Sequence, residues 1–144
     1  MGKSISKIKW ILLLFLLFPT VSYSNNEFKH YSEWDSEKKV EFIVYTGLVY
    51  TDYKMTKWAL DQKDSRGNYI YYEANPLLGK RPSDEKILVF QLLSVASYYY
   101  LTGLEYKDPK AQRILDKFRY FAMGARVSVI LYNDSVGISF SKAL

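Results

Sequence analysis

The sequence predicts a mainly α-helical protein: a signal peptide followed by a three-helix bundle over about residues 36–60, 84–104 and 109–132. Three observations predict this class. Apolar residues recur at helical spacing in the first and last segments, and the middle segment is a long uncharged run. Each segment also begins beside a residue type that commonly caps helices. The 144 residues leave room for one domain, which we place at residues 25–144.

The first 24 residues have the three parts of a secretory signal peptide. Three lysines precede an uncharged apolar stretch from Trp10 to Val21, and Ser22 and Ser24 supply the small residues before a cleavage site at Asn25. The apolar run of about twelve residues is shorter than the roughly twenty that span a bilayer. An uncleaved anchor is the alternative. We therefore predict export, with the mature protein associated with the inner membrane or located in the periplasm.

The first predicted helix follows an irregular, aromatic lead over residues 25–35. Ser36 is suited to be its N-cap, and Glu37 places an acid in the first turn, where the helix dipole favours it. Apolar residues then recur at helical spacing as far as Ala59. A polar, turn-rich loop over residues 61–68 ends the helix.

The connection that follows combines a strand-like segment and a fixed bend. Residues 69–72 have strand propensity, and residues 136–140 alternate apolar and small side chains. Pairing of these two segments would add a two-strand patch to the bundle. Asn75 precedes Pro76, which keeps Asn75 out of helical backbone conformations, so we predict a bend at this position.

The second and third helices have clear starts. Ser83 is suited to cap the second helix, and no charged residue occurs from Ile87 to Leu104. Asp108 and Pro109 form a favourable start for the third helix, with the acid at the N-cap and proline at the first position. Asn133 begins the polar stretch at which this helix is expected to stop.

The location of the bundle has two interpretations. The run from Ile87 to Leu104 is either the buried central helix of an exported soluble bundle or one of three membrane-embedded helices. In the second case, the charges of the first and third helices must face inward, because each charge near a bilayer centre costs about 2.5–3.5 kcal/mol. The sequence slightly favours membrane association.

The composition excludes several kinds of site. The chain has no Cys and a single His, which excludes disulfides, thiolate or His-rich metal sites and a Cys nucleophile. The formal charge of +5 becomes +2 without residues 1–24, because that segment holds three of the 20 basic residues and none of the 15 acidic residues. No dense basic cluster remains, so nucleic-acid binding is not expected. The sequence implies no cofactor, no metal and no identifiable small-molecule substrate.

Three charged residues are the candidates for chemistry: Asp52, Glu73 and Arg126. Asp52 shares a helix face with Thr56, four residues on, and Arg126 lies among apolar residues. A buried carboxylate needs a partner, so we expect Arg126 to pair with Asp52 or Glu73. The group is then either an acid–base pair, a hard-cation site formed by Asp52, Glu73 and Asn75, or an ion-pair network that fixes the alignment of the helices.

The motifs resemble a group of small uncharacterised exported or membrane proteins of bacteria and their phages. The resemblance covers about residues 34–140, and its most specific part is the sequence motif E-x-N-P-x-L-G-x-x-P-S at residues 73–83. The sequence departs from the group at Met55, where glutamine is common, and at Arg81, where histidine is common. The resemblance implies helical hairpins near a membrane and no established activity. Its remaining motif positions, taken as binding or structural residues, are Thr56, Asn75, Pro76, Gly79 and Asn133.

Two functions from different classes follow. The first is a non-enzymatic bacterial or phage envelope protein, an exported helical bundle that acts through protein or lipid contacts, with a membrane or envelope protein as partner. The second is a small membrane-interface hydrolase or metal-dependent enzyme that uses Asp52 and Glu73. The enzyme requires both carboxylates to converge on a pocket with Arg126 or Asn133.

Overall fold

The computed structural model describes residues 26–73, 75 and 77–143. The predicted signal peptide and Pro76 lie outside the described residues. The fold is mainly helical, as predicted, with three long helices: α1 (Ser36–Asp61), α2 (Asp84–Gly103) and α3 (Pro109–Ser135). A short helix, α4 (Phe140–Ala143), follows. Among the helices of the described residues, none is both long and apolar enough to cross a membrane.

The helix starts follow the predicted capping chemistry with one correction. Asp35, and not Ser36, caps α1, because its side chain accepts a hydrogen bond from the backbone nitrogen of Lys38. Ser83 caps α2 and Asp108 caps α3 through the same kind of bond. α3 continues to Ser135, three residues past the predicted end, because Asn133 and its neighbours remain helical.

The long helices run up, down and up. Near one end of α1, Glu41 contacts Tyr98 of α2 and Arg119 of α3; near its other end, Asp52 contacts Gln91 of α2 and Arg126 of α3. Contacts along α1 therefore run backwards along α2 and forwards along α3. α1 and α3 are parallel, and α2 is antiparallel to both.

The two-strand sheet forms from segments other than the predicted ones. β1 (Asn26–Phe28) pairs antiparallel with β2 (Leu104–Tyr106), which joins α2 to α3. The predicted pairing of residues 69–72 with 136–140 is wrong. Phe140 begins α4, and the rings of Tyr69 and Tyr72 lie against the guanidinium of Arg81, at 3.4 Å and 4.8 Å from the ring centroids.

An aromatic cluster closes the end of the bundle beside the sheet. Trp34 is 3% exposed and donates a hydrogen bond from its indole nitrogen to the Lys29 carbonyl oxygen at 2.8 Å. Its ring packs against Phe42 of α1 and Tyr99 of α2. The predicted irregular lead is therefore a short strand and a 3₁₀ turn (Tyr31–Glu33) packed on the helices.

The core of the other end is aliphatic. Met55 and Ala59 of α1 pack with Ile138, which lies between α3 and α4. Trp58 lies against the same cluster, with its ring 6.3 Å from that of Tyr71. The connection between α1 and α2 and the end of the chain thus meet at the same end of the bundle.

Candidate functional site

The interior of the bundle holds two groups of paired charges. In the first, Arg119 of α3 binds the carboxylate of Glu41 through Nε, at 3.2 Å, and through Nη2. The Tyr98 hydroxyl of α2 donates a hydrogen bond to the same carboxylate. The Arg119 side chain is 5% exposed and that of Glu41 is 10% exposed, so this is a buried ion pair.

The second group contains Asp52 and Arg126, one of the two pairings that the sequence predicts. Arg126 Nη1 donates to Asp52 Oδ2 at 2.5 Å, and its Nη2 donates to Ser94 Oγ at 2.8 Å. Gln91 Nε2 donates to the same Asp52 oxygen at 2.9 Å. One guanidinium therefore connects all three long helices.

Stacked tyrosines join the two groups. The rings of Tyr45 and Tyr98 lie 3.7 Å apart, with 7° between their planes. The Tyr45 hydroxyl exchanges a hydrogen bond with Ser94 at 2.8 Å, and the Tyr98 hydroxyl binds Glu41. Hydrogen bonds and one aromatic stack thus connect Arg119 to Asp52 along the inside of the bundle.

A cavity of about 690 Å³ lies beside the second group. Its wall is formed by α1, α2, α3 and the connection before α2. It brings together six of the predicted site residues: Asp52, Thr56, Glu73, Asn75, Arg126 and Asn133. The remaining lining is largely apolar and aromatic, and it includes Phe90, Val129 and Tyr132.

The predicted bend forms one wall of this cavity. Glu73 Oε1 accepts from the backbone nitrogen of Asn75 at 2.7 Å, and Asn75 Oδ1 accepts from that of Leu77 at 3.0 Å. Gly79 does not line the cavity. Its φ of +80° lies in the left-handed region that favours glycine, and its nitrogen donates to the Asn75 carbonyl. Gly79 therefore closes the turn that carries Glu73 and Asn75.

Gln91 is a cavity residue that the sequence reasoning missed. Its side chain is 5% exposed, and its Oε1 is the buried side-chain polar atom that has no hydrogen-bond partner among the described residues. The sequence did contain a signal for it, because Gln91 is the one amide side chain within the uncharged run from Ile87 to Leu104. The Glu41–Arg119 pair was also missed, since nothing local distinguishes Glu41 from a solvated helix residue.

A metal site receives no support from the described residues. Within them, no three His, Cys, Asp or Glu side chains are grouped so that they could hold a metal ion. The hypothetical cation site has two carboxylates and one amide on the cavity wall, and Oδ2 of Asp52 already accepts hydrogen bonds from Arg126 and Gln91.

The outward faces of the long helices form a second feature, the apolar belt. We define the belt as the exposed side chains of residues 40–51 in α1, 88–100 in α2 and 118–132 in α3. The charged residues within these segments are Glu41, Arg119 and Arg126, and all three point inward. The large exposed members are Val40, Ile43, Val44, Tyr50, Leu88, Val89, Leu92, Leu93, Tyr100, Phe118, Tyr120, Phe121, Val127, Val129, Leu131 and Tyr132.

The chain matches no protein-family model, no curated protein and no solved structure. The cavity and the belt are therefore interpreted from their own residues.

Proposed function

We propose that this protein is a non-enzymatic envelope protein whose exported helical bundle contacts membrane lipid through the apolar belt. The observation that carries the proposal is the absence of outward charge in the belt segments of the described helices. Glu41, Arg119 and Arg126 are each turned inward and paired. The height of the belt is about 20 Å, from 12 to 15 residues at about 1.5 Å each.

The belt differs from the surface expected of a helix in water. Surface helices of soluble proteins carry polar and charged residues on the outward face, whereas α2 presents Leu88, Val89, Leu92 and Leu93 there. Large contiguous apolar patches mark interaction surfaces. Charged residues in lipid face the bundle interior and pair with one another, as Arg119 and Glu41 do.

The distribution of the belt favours lipid over a single protein partner. Its residues lie on the outward sides of all three long helices. One docked protein covers one side of a bundle, whereas lipid acyl chains can contact several sides. Tyr100 and Tyr132 lie near the ends of the belt segments, where the amphipathic tyrosine ring is favoured at a membrane–water interface.

Vesicle flotation tests the proposal. The full chain is expected to float with vesicles of phosphatidylethanolamine and phosphatidylglycerol. The double substitution Leu92→Lys with Phe121→Lys, on exposed belt positions of two helices, should abolish most of this binding. The matched control, Ile70→Lys with Leu77→Lys, changes exposed apolar residues outside the belt and should float like the unmodified chain.

Two results would contradict lipid contact. One is an unmodified chain that stays at the bottom of the gradient. The other is equal flotation of the belt variant and its control. Circular dichroism of each variant shows whether the helices are retained. Co-purification from native envelopes would reveal a protein bound to the belt in place of lipid.

The hydrolase remains the second candidate, because one cavity is lined by Asp52, Glu73, Arg126 and Asn133. This candidate predicts that the purified chain cleaves chromogenic esters and that Asp52→Asn and Glu73→Gln each abolish turnover. Thr102→Val, a change at a buried residue away from the cavity wall, is the control for general destabilisation. Turnover that persists in both carboxylate variants would end the enzymatic interpretation.

A further inference from the structure

Thr56 differs from the other threonines of the long helices in what its hydroxyl binds. Thr46, Thr51 and Thr102 each donate to the backbone carbonyl oxygen four residues earlier, at 2.8–2.9 Å, which is a common bond for a threonine inside a helix. Thr56 Oγ1 makes no hydrogen bond to any residue that the structure describes. Because Thr56 lines the cavity, its hydroxyl is left to bind a group inside it.

Asn133 supplies a second such group from α3. Its backbone carbonyl oxygen accepts from the nitrogens of Val136 and Ile138, but its side-chain amide has no partner within the described part of the chain. The Thr56 hydroxyl and the Asn133 amide are both accessible, since Gln91 Oε1 is the only buried side-chain nitrogen or oxygen without a partner among the described residues. A hydroxyl and an amide can each donate and accept, so together they suit a ligand with hydroxyl and carbonyl groups.

The two groups lie close enough to bind one head group. α1 and α3 are parallel and are joined by the pair of Asp52 and Arg126. Thr56 is four residues beyond Asp52 and Asn133 is seven residues beyond Arg126, so both lie on the same side of this pair. At about 1.5 Å per residue, they are separated by about 4–5 Å along the helix axes. A head group the size of glycerol spans a similar distance.

The charges of the wall favour an uncharged head group. The charged side chains among the described wall residues are Asp52, Glu73 and Arg126. Asp52 and Arg126 bind each other, and Glu73 accepts a hydrogen bond from the backbone nitrogen of Asn75. An ionic head group would therefore lose its water without gaining a free charge of opposite sign, which is costly.

The rest of the wall suits an acyl chain. Leu78, Phe90 and Ile138 line the cavity, and its volume of about 690 Å³ lies within the roughly 300–1,000 Å³ of small-molecule sites. Val129 and Tyr132 are 44% and 64% exposed, and they belong both to the cavity wall and to the belt. The cavity therefore opens on the belt.

We propose that this cavity binds an uncharged glyceride. The acyl chain lies against the apolar wall, and the ester and hydroxyl groups of the head exchange hydrogen bonds with Thr56 and Asn133. Glycerides are lipids, and the opening on the belt gives them a route from a bilayer. That route rests on the proposed function, whereas binding itself requires only the cavity.

Titration calorimetry with three short probes tests the ligand class. 1-Hexanoylglycerol, hexanoate and hexylamine carry the same six-carbon chain on an uncharged, an anionic and a cationic head group. We expect 1-hexanoylglycerol to bind at least about tenfold more tightly than either charged probe, because it alone gains hydrogen bonds without the desolvation of a charge. Failure of 1-hexanoylglycerol to bind, or equal or tighter binding of a charged probe, would overturn the proposal.

Matched variants locate the binding. Thr56→Val and Asn133→Leu each remove one polar group and should weaken 1-hexanoylglycerol binding by about threefold to tenfold, the usual effect of one hydrogen bond. Thr51→Val is the same change on the same helix at a residue outside the wall and should leave binding unchanged. Val129→Trp, which fills the opening, should weaken binding by about tenfold or more and decides the matter if a polar variant fails to fold. Unchanged binding in the folded variants refutes the site.

The belt variant separates binding in the cavity from adsorption to the belt. Leu92→Lys with Phe121→Lys leaves every described wall residue unchanged, so it should bind 1-hexanoylglycerol as tightly as the unmodified chain. Loss of this binding in the folded belt variant would contradict the cavity as the site. An unmodified chain that binds the glyceride but does not float with vesicles would support the cavity while contradicting lipid contact by the belt.

Discussion

Arg126 shows how one buried side chain can connect the whole bundle. Its guanidinium binds Asp52 on α1 and Ser94 on α2 from its own position on α3. Removing one member of such a pair leaves the other charge buried and unpaired, which is costly. The sequence predicted this pair because a carboxylate and an arginine among apolar residues each need a partner.

Arg126→Met should therefore lower the free energy of unfolding by about 3–5 kcal/mol, the usual cost of breaking a buried ion pair. The double variant Asp52→Leu with Arg126→Met should recover part of that loss, since no buried charge remains unpaired. Lys57→Met is the control at the Lys57–Asp84 pair, where the aspartate is 68% exposed, and should change stability by about 1 kcal/mol or less. Urea unfolding followed by circular dichroism measures all three.

Gly103 is required for space and not for an unusual backbone angle. A β-carbon at this position would lie 2.5 Å from Phe28 Cε2 and 2.7 Å from the Lys29 carbonyl oxygen. Gly103→Ala should therefore push the amino-terminal segment away and cost about 1–3 kcal/mol, as other overpacking changes do. Gly124→Ala meets nothing within 4 Å and should stabilise α3 by about 0.5–1 kcal/mol. Thermal unfolding should show a lower melting temperature for Gly103→Ala and a higher one for Gly124→Ala. Equal shifts in the two variants would contradict the close approach of Phe28 and Lys29 to Gly103.

At the scale of elements, Glu105 on β2 ties the sheet to α1. Its carboxylate binds Lys29, which follows β1, and Lys38 of α1, each at 2.6 Å. Hydrogen bonds from Lys29 and then Lys38 hold the pKa of Glu105 below its ordinary value of 4.5. The carboxylate is thus more easily ionised in the folded chain than in the unfolded chain.

This shift predicts a pH dependence of stability. The contribution of Glu105 is complete above its ordinary pKa of 4.5 and is lost as the pH falls through the lowered pKa of the folded state. Glu105→Gln should therefore reduce the melting temperature near neutral pH and flatten its decline in acid. Glu85→Gln, at an exposed residue, is the control. A decline in acid that is equally steep with and without Glu105 would refute the linkage.

The elements also show which structures local sequence could predict. The three long helices follow from caps and uncharged or periodic runs, which are signals contained within each segment. The sheet was missed because β1 and β2 have three residues each and pair across about eighty residues of sequence. Tyr69 has strand propensity and pairs with Lys63 in an isolated antiparallel bridge, so its partner is the adjacent loop and not residues 136–140.

Local sequence likewise predicted some residues of the cavity and missed others. Five of its wall residues, Asp52, Thr56, Glu73, Asn75 and Arg126, were predicted as site residues from charge, spacing and the bend, because a buried charge needs a partner and a proline restricts the residue before it. The sixth, Asn133, came from the resemblance. Gln91 was not predicted, since its significance comes from the unpartnered oxygen, which depends on how three helices meet. The sequence shows an amide side chain within an uncharged run, but it does not show which contacts the amide oxygen makes.

At the scale of the whole molecule, the charged side chains of the belt segments lie inside the bundle, and the apolar side chains of the belt cover its outside. This arrangement predicts behaviour in solution. The full chain should be monodisperse in mild detergent and should self-associate when detergent is removed, because the belt then contacts water. Leu92→Lys with Phe121→Lys should reduce that association. Size-exclusion chromatography with light scattering measures it, and a monodisperse unmodified chain without detergent would contradict the expected role of the belt.

The placement of two tryptophans gives each end of the molecule its own optical signal. Trp34 is buried among aromatic rings beside the sheet, and Trp58 lies near Tyr71 and the aliphatic cluster at the other end of α1. The Trp34 ring packs against Phe42, and about 16 helical residues at roughly 1.5 Å each separate Phe42 from Trp58, so the two indoles lie about 24 Å apart. The chain has a third tryptophan, Trp10. Fluorescence emission of a chain with Trp10→Phe and Trp58→Phe would therefore report on opening near the amino terminus, and that of a chain with Trp10→Phe and Trp34→Phe on events beside the cavity.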